Sequence, residues 1–519
     1  MLEYKFNYYF YATFKLIYCI MTDLLKKEFE NYFKMYTYTF FLSIIAFGFA
    51  LSNYTLSVDN EIPIISNFAL DTGRWGQNLI RYHIFKGHLP YFTLLLSLLS
   101  FSLAAVRLTN LLKFTGISAY IFCGLFITFP QLAYEVVFNM MADIAGLGVL
   151  FSVFSVELFI RGFDSSILGK KIFFFSSGVL LTAFTLSTYQ AFILVIPTIC
   201  IVLFFKSTFE ASFNLKYEIK RLAFQGCLVI LSSFVYYLSV KIICPPIEDS
   251  GYLSSFLSGE GNNPFSDFFS IWFKNLTGSF FYGESSFIVI LLLSILLFVR
   301  FFIDRKNAFI RFISLFLILL LPFIMSFAIT NGYHPPRLYV TSNMIFAFII
   351  VFSLDYFKIT TLTITKTAIA LIIVTNIYFI TTLFLTSNKI YQHDRRIAEK
   401  IDNIIQTKYP DFFTTEKNIY FYGFFPYEYH QKFRLEKSEV FGGSIFNWGN
   451  SADNYRLVSF FKDANIAEYK MIDTKEKLDL VKDSITQMPA WPNSESIKMF
   501  NGIVVVKLGN EKGTKLYFE

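Results

Sequence analysis

The sequence predicts an α-helical polytopic membrane protein of about eleven spans with an α/β domain at its C-terminal end. Three observations predict it. The chain of 519 residues is 55% hydrophobic and 20% aromatic but only 16% charged, with mean hydropathy +0.50. A soluble domain carries roughly 25% charge, so most of this chain does not face water. Apolar runs of span length recur along it, and Lys and Arg are sorted into alternate loops between them. From about residue 388 the charge rises to that of an ordinary soluble domain.

The N-terminal part, residues 1–36, is aromatic and basic (YKFNYYFYATFKLIYCI) and reads as a cytoplasmic or interfacial segment. It lacks a small-residue cleavage site beside an isolated apolar core, so it does not read as a removable signal peptide. Residues 37–387 form the expected membrane domain, with runs near 37–55, 90–106, 115–130, 140–160, 172–187, 190–205, 222–243, 287–303, 309–329, 338–356 and 367–387. The stretch 172–205 is too long for one span and is broken at Ser187-Thr188-Tyr189-Gln190, so it reads as two helices joined by a tight turn.

Alternate loops hold Arg107/Lys113, Arg161/Lys170/Lys171, Lys206/Lys216/Lys220/Arg221, Arg300/Arg305/Lys306/Arg311 and Lys358/Lys366. The intervening loop 244–286 is acidic: Glu248, Asp249, Glu260, Asp267 and Glu284 against Lys274. The positive-inside rule then puts the N-terminus in the cytoplasm, and an odd span count puts the C-terminal domain, residues 388–519, outside. Within that domain NIYFYGF and GIVVVKL read as strands. DRRIAEKIDNIIQTKY, SADNYRLVSFFKDA and TKEKLDLVKDSI read as helices.

The net charge of +7 orients a membrane protein and does not make a nucleic-acid binder. Five cysteines beside apolar segments, without a CxxC, argue against a disulfide scaffold or a zinc site. The histidines show no HExxH spacing, and no cofactor is expected.

Chemistry is expected at the external polar residues. The first external loop, 56–89, opens with Asp59 and Glu61. Asp71 then reads as an N-cap for GRWGQNLIRYHIF, an interfacial amphipathic helix, and Arg74, Arg81, His83 and His88 make the second half basic. An acid at the membrane boundary can take a proton from a hydroxyl acceptor, while cations hold a phosphate leaving group whose lipid tail stays in the bilayer. The competing reading is that Asp59 and Glu61 are solvated loop acids and Asp71 only a cap. His334 and Arg337 lie in a second external loop stiffened by two prolines, where Arg337 either snorkels or binds a lipid phosphate. Gln131 and Glu135 sit at or just inside the external face. Asp143 reads as an intramembrane acid unless the span starts later. Tyr189 and Gln190 are helix-breaking polar residues or sugar contacts. Tyr429, Trp448, Tyr455 and Trp491 offer glycan-binding faces or a hydrophobic core.

Several segments also carry a resemblance. EIPIISNFALDTGRWGQNLIRYHIF, FPQLAYEVVFNMMADIAGLG, LSTYQAF, VFGGSIFNWGNSADNYR and MPAWPNSESIKMFNGIVVVKLG resemble the serotype-converting O-antigen glucosyltransferases of enterobacterial temperate phages. These form the type II Gtr family, whose architecture is similar to GT-C glycosyltransferases. The likeness runs from about Met21 to the C-terminus. It implies transfer of glucose from undecaprenyl-phosphate-glucose to an O-antigen sugar of lipopolysaccharide, at the periplasmic face of the bacterial inner membrane. Separate donor synthase and flippase partners are implied as well.

Where GT-C enzymes have an acidic pair in this loop, Asp59-Asn60-Glu61 stands here. The resemblance therefore points to Glu61 as base with Asp59 as partner, and Asp71 as a third candidate. Arg74, Arg81 or Arg337 would hold the departing phosphate. His83, Gln131, Glu135, Tyr189, Gln190 and His334 would contact substrate. A divalent ion, used by some GT-C relatives at paired acids, stays open. Three other readings compete: a GT-C enzyme for another polyprenyl-linked sugar or acceptor, a lipid-linked-sugar transporter, and a membrane receptor. A transporter predicts internal repeats, which are not seen. A receptor leaves the acid and arginine loop unexplained.

Overall fold

The computed structural model describes residues 32–60, 66–85, 89–139, 141–244, 263–327, 329, 334–414, 416–425, 435–448 and 454–511. Glu61, His88, Tyr429 and most of the segment 1–36 lie outside these, as does 245–262 of the acidic loop.

Every expected span has a helix. Nine helices among the described residues are long and apolar enough to cross a membrane. In chain order the helices of the bundle are α1 (Tyr32–Ser52), the short α2 (Ser66–Asp71) and α3 (Trp75–Asn78), α4 (Pro90–Leu111) and α5 (Gly116–Thr128). Then come the short α6 (Gln131–Val136), α7 (Ala142–Asp164), α8 (Leu168–Thr188), α9 (Val195–Ser207) and α10 (Leu215–Ile243). α11 (Pro264–Leu276), α12 (Ile288–Asp304), α13 (Ala308–Leu320), α14 (Ser342–Tyr356) and α15 (Thr363–Lys408) complete it. α5 and α14 are shorter apolar helices that fill the two remaining expected spans. The protein is a polytopic helical membrane protein with a small C-terminal sheet.

One continuous apolar core joins these helices, dense in aromatic pairs such as Phe129–Phe346, stacked at 4.5 Å. Polar contacts sort the connecting segments into two ends. At one, Lys113 pairs with Glu210 at 2.7 Å, Arg311 donates to the Thr208 carbonyl at 3.0 Å, and Ser118 donates to Asp355 at 2.6 Å. Tyr217 donates to Asp164 at 3.3 Å, and Tyr356 to Asp304. These contacts gather the alternate basic loops of the sequence at a single end of the bundle, the basic end.

The opposite end carries the C-terminal unit. Its sheet has the order β2 (Lys470–Met471), β1 (Asn418–Tyr422), β4 (Ile503–Lys507), β3 (Ile497–Phe500), parallel except for the β3–β4 pair. Side chains alternate across it. Ile419, Phe421, Val504 and Val506 face α15 and α16 (Asn454–Asp463), while Tyr420, Ile503 and Val505 face α17 (Lys475–Ile485). Both faces are covered, which is why β4 is apolar without a break from Ile503 to Val506.

The sequence boundary at residue 388 does not interrupt the chain. α15 runs 46 residues from the last span straight into the sheet unit, and Asp394 on it accepts from Ser444 at 2.8 Å and from the Ile445 N–H at 2.9 Å. Neither Gly nor Pro occurs between Thr363 and Lys408, so nothing local ends the helix.

Candidate active site

The sheet end brings most of the expected residues together. After α1 the chain runs extended, with Leu56 packed in the core of the sheet unit and Val58 in the bundle core. Ser57 bonds Ser387 at 2.8 Å. This threading fixes the turn at Asp59, whose φ of 74° is rare for a residue with a side chain. Asp59 pairs with Arg456 of α16 at 2.6 Å. Asn60 is buried, donating to the Val137 carbonyl at 3.1 Å and accepting from the Asn139 N–H at 2.8 Å. Beside it lies a small cleft lined by residues including Asn53, Tyr54, Tyr91, Asn139 and Phe384.

Asp71 is not an N-cap. It ends α2, the chain reverses at Gly73 with φ of 74°, and Arg74 occupies the N-cap position of α3. Gln190 is engaged in holding that reversal: it accepts from Arg74 Nε at 3.1 Å and donates to the Thr72 carbonyl at 2.8 Å and to Tyr236 at 3.0 Å. The Arg74 guanidinium lies 5.0 Å from the centre of the Tyr189 ring. Trp75 donates to Ser239 of α10 at 2.8 Å, so this segment is docked on the bundle, with Leu79 and Ile84 exposed along its π-helical continuation Leu79–Ile84. His83 is exposed on the same turn.

Arg81 is placed differently from the expectation of a phosphate contact. It is fully buried and paired at 2.7 Å with Asp143, itself buried in the first turn of α7. The guanidinium is turned inward, towards the Asp143 carboxylate.

A second group surrounds Arg337. Glu439 pairs with it, and Phe138 lies under the guanidinium at 4.8 Å. Gln131 donates to Glu135 at 2.6 Å. Burial pushes the Glu135 carboxyl well above the usual carboxylate range, against the opposing pull of Gln131 and Arg337. His334 is half-buried, and burial holds its imidazole below the usual value, opposed by Asp267. The segment 435–448 closes over this group: Tyr282 N–H donates to the Lys437 carbonyl at 2.9 Å, and Tyr134 donates to the Tyr282 carbonyl at 3.0 Å. Trp448 packs against the bundle core and Trp491 against the core of the sheet unit, both partly buried, and Tyr455 lies partly buried on α16.

Arg456, Asn139 and Glu439 were not singled out from the sequence. Arg456 lies 397 residues from Asp59, and no local spacing signals such a partner. Among the described residues no three His, Cys, Asp or Glu side chains come together in a way that could hold a metal ion.

A helical membrane bundle with acids and arginines gathered at one end, under a small mixed sheet, is the class of molecule this geometry defines. Residues 48–354 match the family described as glucosyl transferase GtrII, and the chain belongs to that family. It is therefore a membrane glucosyltransferase, and the matched region contains every expected site residue from Asp59 to Arg337. No curated protein and no solved structure matches the chain significantly.

Proposed function

We propose that the protein transfers glucose from undecaprenyl-phosphate-glucose to a sugar of an O-antigen repeat at the periplasmic face of the inner membrane, by a single inverting displacement. The observation that carries this reading is the convergence at the sheet end. The turn bearing Asp59 and the loop bearing Arg337 both meet the C-terminal unit there, away from the basic loops. Under the positive-inside rule the basic loops belong in the cytoplasm, which puts the site outside.

A carboxylate of the Asp59-Asn60-Glu61 turn takes the proton of an acceptor hydroxyl. That oxygen attacks the anomeric carbon, and the bond from the anomeric carbon to the phosphate oxygen breaks with its electron pair. Polyprenyl phosphate leaves with its charge met by Arg74 or Arg337. Glu61 is the favoured base, because Asp59 is already engaged by Arg456.

The test compares wild type, Glu61→Gln and Asp59→Asn, each with synthetic polyprenyl-phosphate-glucose and O-antigen acceptor, with and without EDTA. A loss of about a hundredfold or more in turnover for Glu61→Gln, with folding intact, supports the assignment. Near-normal turnover moves the base to Asp59 or Asp71. A wild type inactive with this donor overturns the substrate reading.

A further inference from the structure

Among the buried side-chain atoms at the sheet end with no hydrogen-bond partner among the described residues, six stand on adjoining, almost wholly buried segments: Gln131 Oε1, Glu284 Oε1, Tyr339 OH, Thr341 Oγ1, Ser342 Oγ and Asn343 Nδ2. Their residues are at most 1% exposed. Buried polar atoms are nearly always paired, because leaving one unpaired forfeits its hydration. Six on adjoining segments call for a partner of matching chemistry.

The segments pack on one another. Gln131 begins α6, and its amide nitrogen lies 3.4 Å from the Pro336 carbonyl. Glu284 accepts from the Phe280 N–H at 2.9 Å, and the Phe280 ring meets the Tyr339 ring at 5.6 Å. Thr341, Ser342 and Asn343 follow at the head of α14, where Thr341 makes no side-chain cap bond to the first-turn amides. Phe323 flanks Tyr339 at 5.3 Å, so the polar groups have aromatic walls.

The donor and acceptor inventory selects the ligand. Gln131 Oε1 offers only acceptance, and Asn343 Nδ2 only donation. The three hydroxyls do either. A phosphate accepts but does not donate, so it leaves Gln131 Oε1 unserved, and a polyprenyl chain serves none of the six. A ring of hydroxyls, each donating and accepting, serves all of them, and its C–H face suits the aromatic walls.

We propose that these residues form the subsite that receives the glucosyl ring of the donor, with the donor phosphate at Arg337, two residues before Tyr339. This rests on the lipid-linked-donor reading above and adds where the sugar sits. These residues are closed to solvent in this structure.

The test uses full-length protein in nanodiscs. It measures binding of synthetic polyprenyl-phosphate-glucose and of polyprenyl phosphate without sugar to wild type, Tyr339→Phe and Thr341→Val, with melting temperature recorded alongside. Each variant deletes one unpartnered hydroxyl and keeps the shape. The expected result is affinity for the glucosylated donor falling about tenfold, the scale of one lost hydrogen bond. Affinity for the bare lipid phosphate should stay unchanged and the melting temperature unchanged or raised. Unchanged donor affinity in both variants would mean that the groups hold only water. An equal loss for both lipids would make the site a phosphate or structural feature. If wild type binds neither lipid, the donor reading falls and this subsite with it, whereas tight wild-type binding with insensitive variants overturns the subsite alone.

Discussion

At the basic end of the bundle, helices are joined by short turns and tied by pairs such as Lys113–Glu210, whose side chains are 71% and 42% exposed. At the sheet end the chain lays down short helices and holds a deeply buried ion pair, Arg81–Asp143, with 2% and 0% exposure. The difference is one of specification. An exposed pair is screened and adds little, whereas a buried pair costs desolvation and is tolerated where a geometry has to be held.

Breaking Arg81–Asp143 should therefore have the largest effect. Asp143→Ala removes a buried carboxylate from the Arg81 guanidinium and should cost about 3–5 kcal/mol in stability, read as a fall in melting temperature in detergent. Arg81→Met combined with Asp143→Leu should recover most of that loss. A single variant as stable as wild type would remove the contrast between the ends.

Arg456→Gln comes next, because that pair is only partly exposed and joins α16 to the Asp59 turn. A cost of about 1 kcal/mol is expected, with faster proteolysis near Asp59 as the direct readout. Unaltered cleavage would show that Leu56 and Val58 hold the turn unaided.

Glu135 tests the same contrast by pH. Its folded-state pKa lies above the ordinary 4.5, so the folded protein keeps a proton that the unfolded chain has lost. Its stabilising contribution is full below pH 4.5 and is lost as pH rises from there towards the raised value. Glu135→Gln should flatten that limb of the stability–pH curve. A curve as steep as wild type would put the proton elsewhere.

The smallest effect is expected for Lys113→Ala, within about 0.5 kcal/mol. A larger change would mean that the basic end is specified as tightly as the other.

The spans were legible because a bilayer imposes one length on every apolar run, and β1, β4, α16 and α17 were legible from period and caps. Thr474 caps α17, accepting from the Lys477 N–H at 3.3 Å. The short elements α2 and α6 were not legible, nor was the π-helical form that the helix read over GRWGQNLIRYHIF takes from Leu79, since tertiary packing rather than local periodicity decides them. Asp71 illustrates the point: a residue type that favours N-caps sits at a helix end because Gly73 allows the reversal two residues later. At the site, residue types in the first loop were readable, but their partners were not. Arg81 looked like a free cation until Asp143 was placed beside it, and Glu439 and Arg456 come from the far end of the chain.

The uninterrupted α15 works as a ruler. Forty-six residues at 1.5 Å each make a rod of about 69 Å, anchored in the bundle at one end and carrying the sheet at the other. One residue inserted near Ser387 would lift the sheet by about 1.5 Å and swing it by about 100°, pulling Arg456 away from Asp59. The reach of the C-terminal unit above the bundle can therefore change only by insertions that nearly close whole turns, such as seven residues, which add about 10.5 Å and leave the facing about 20° off.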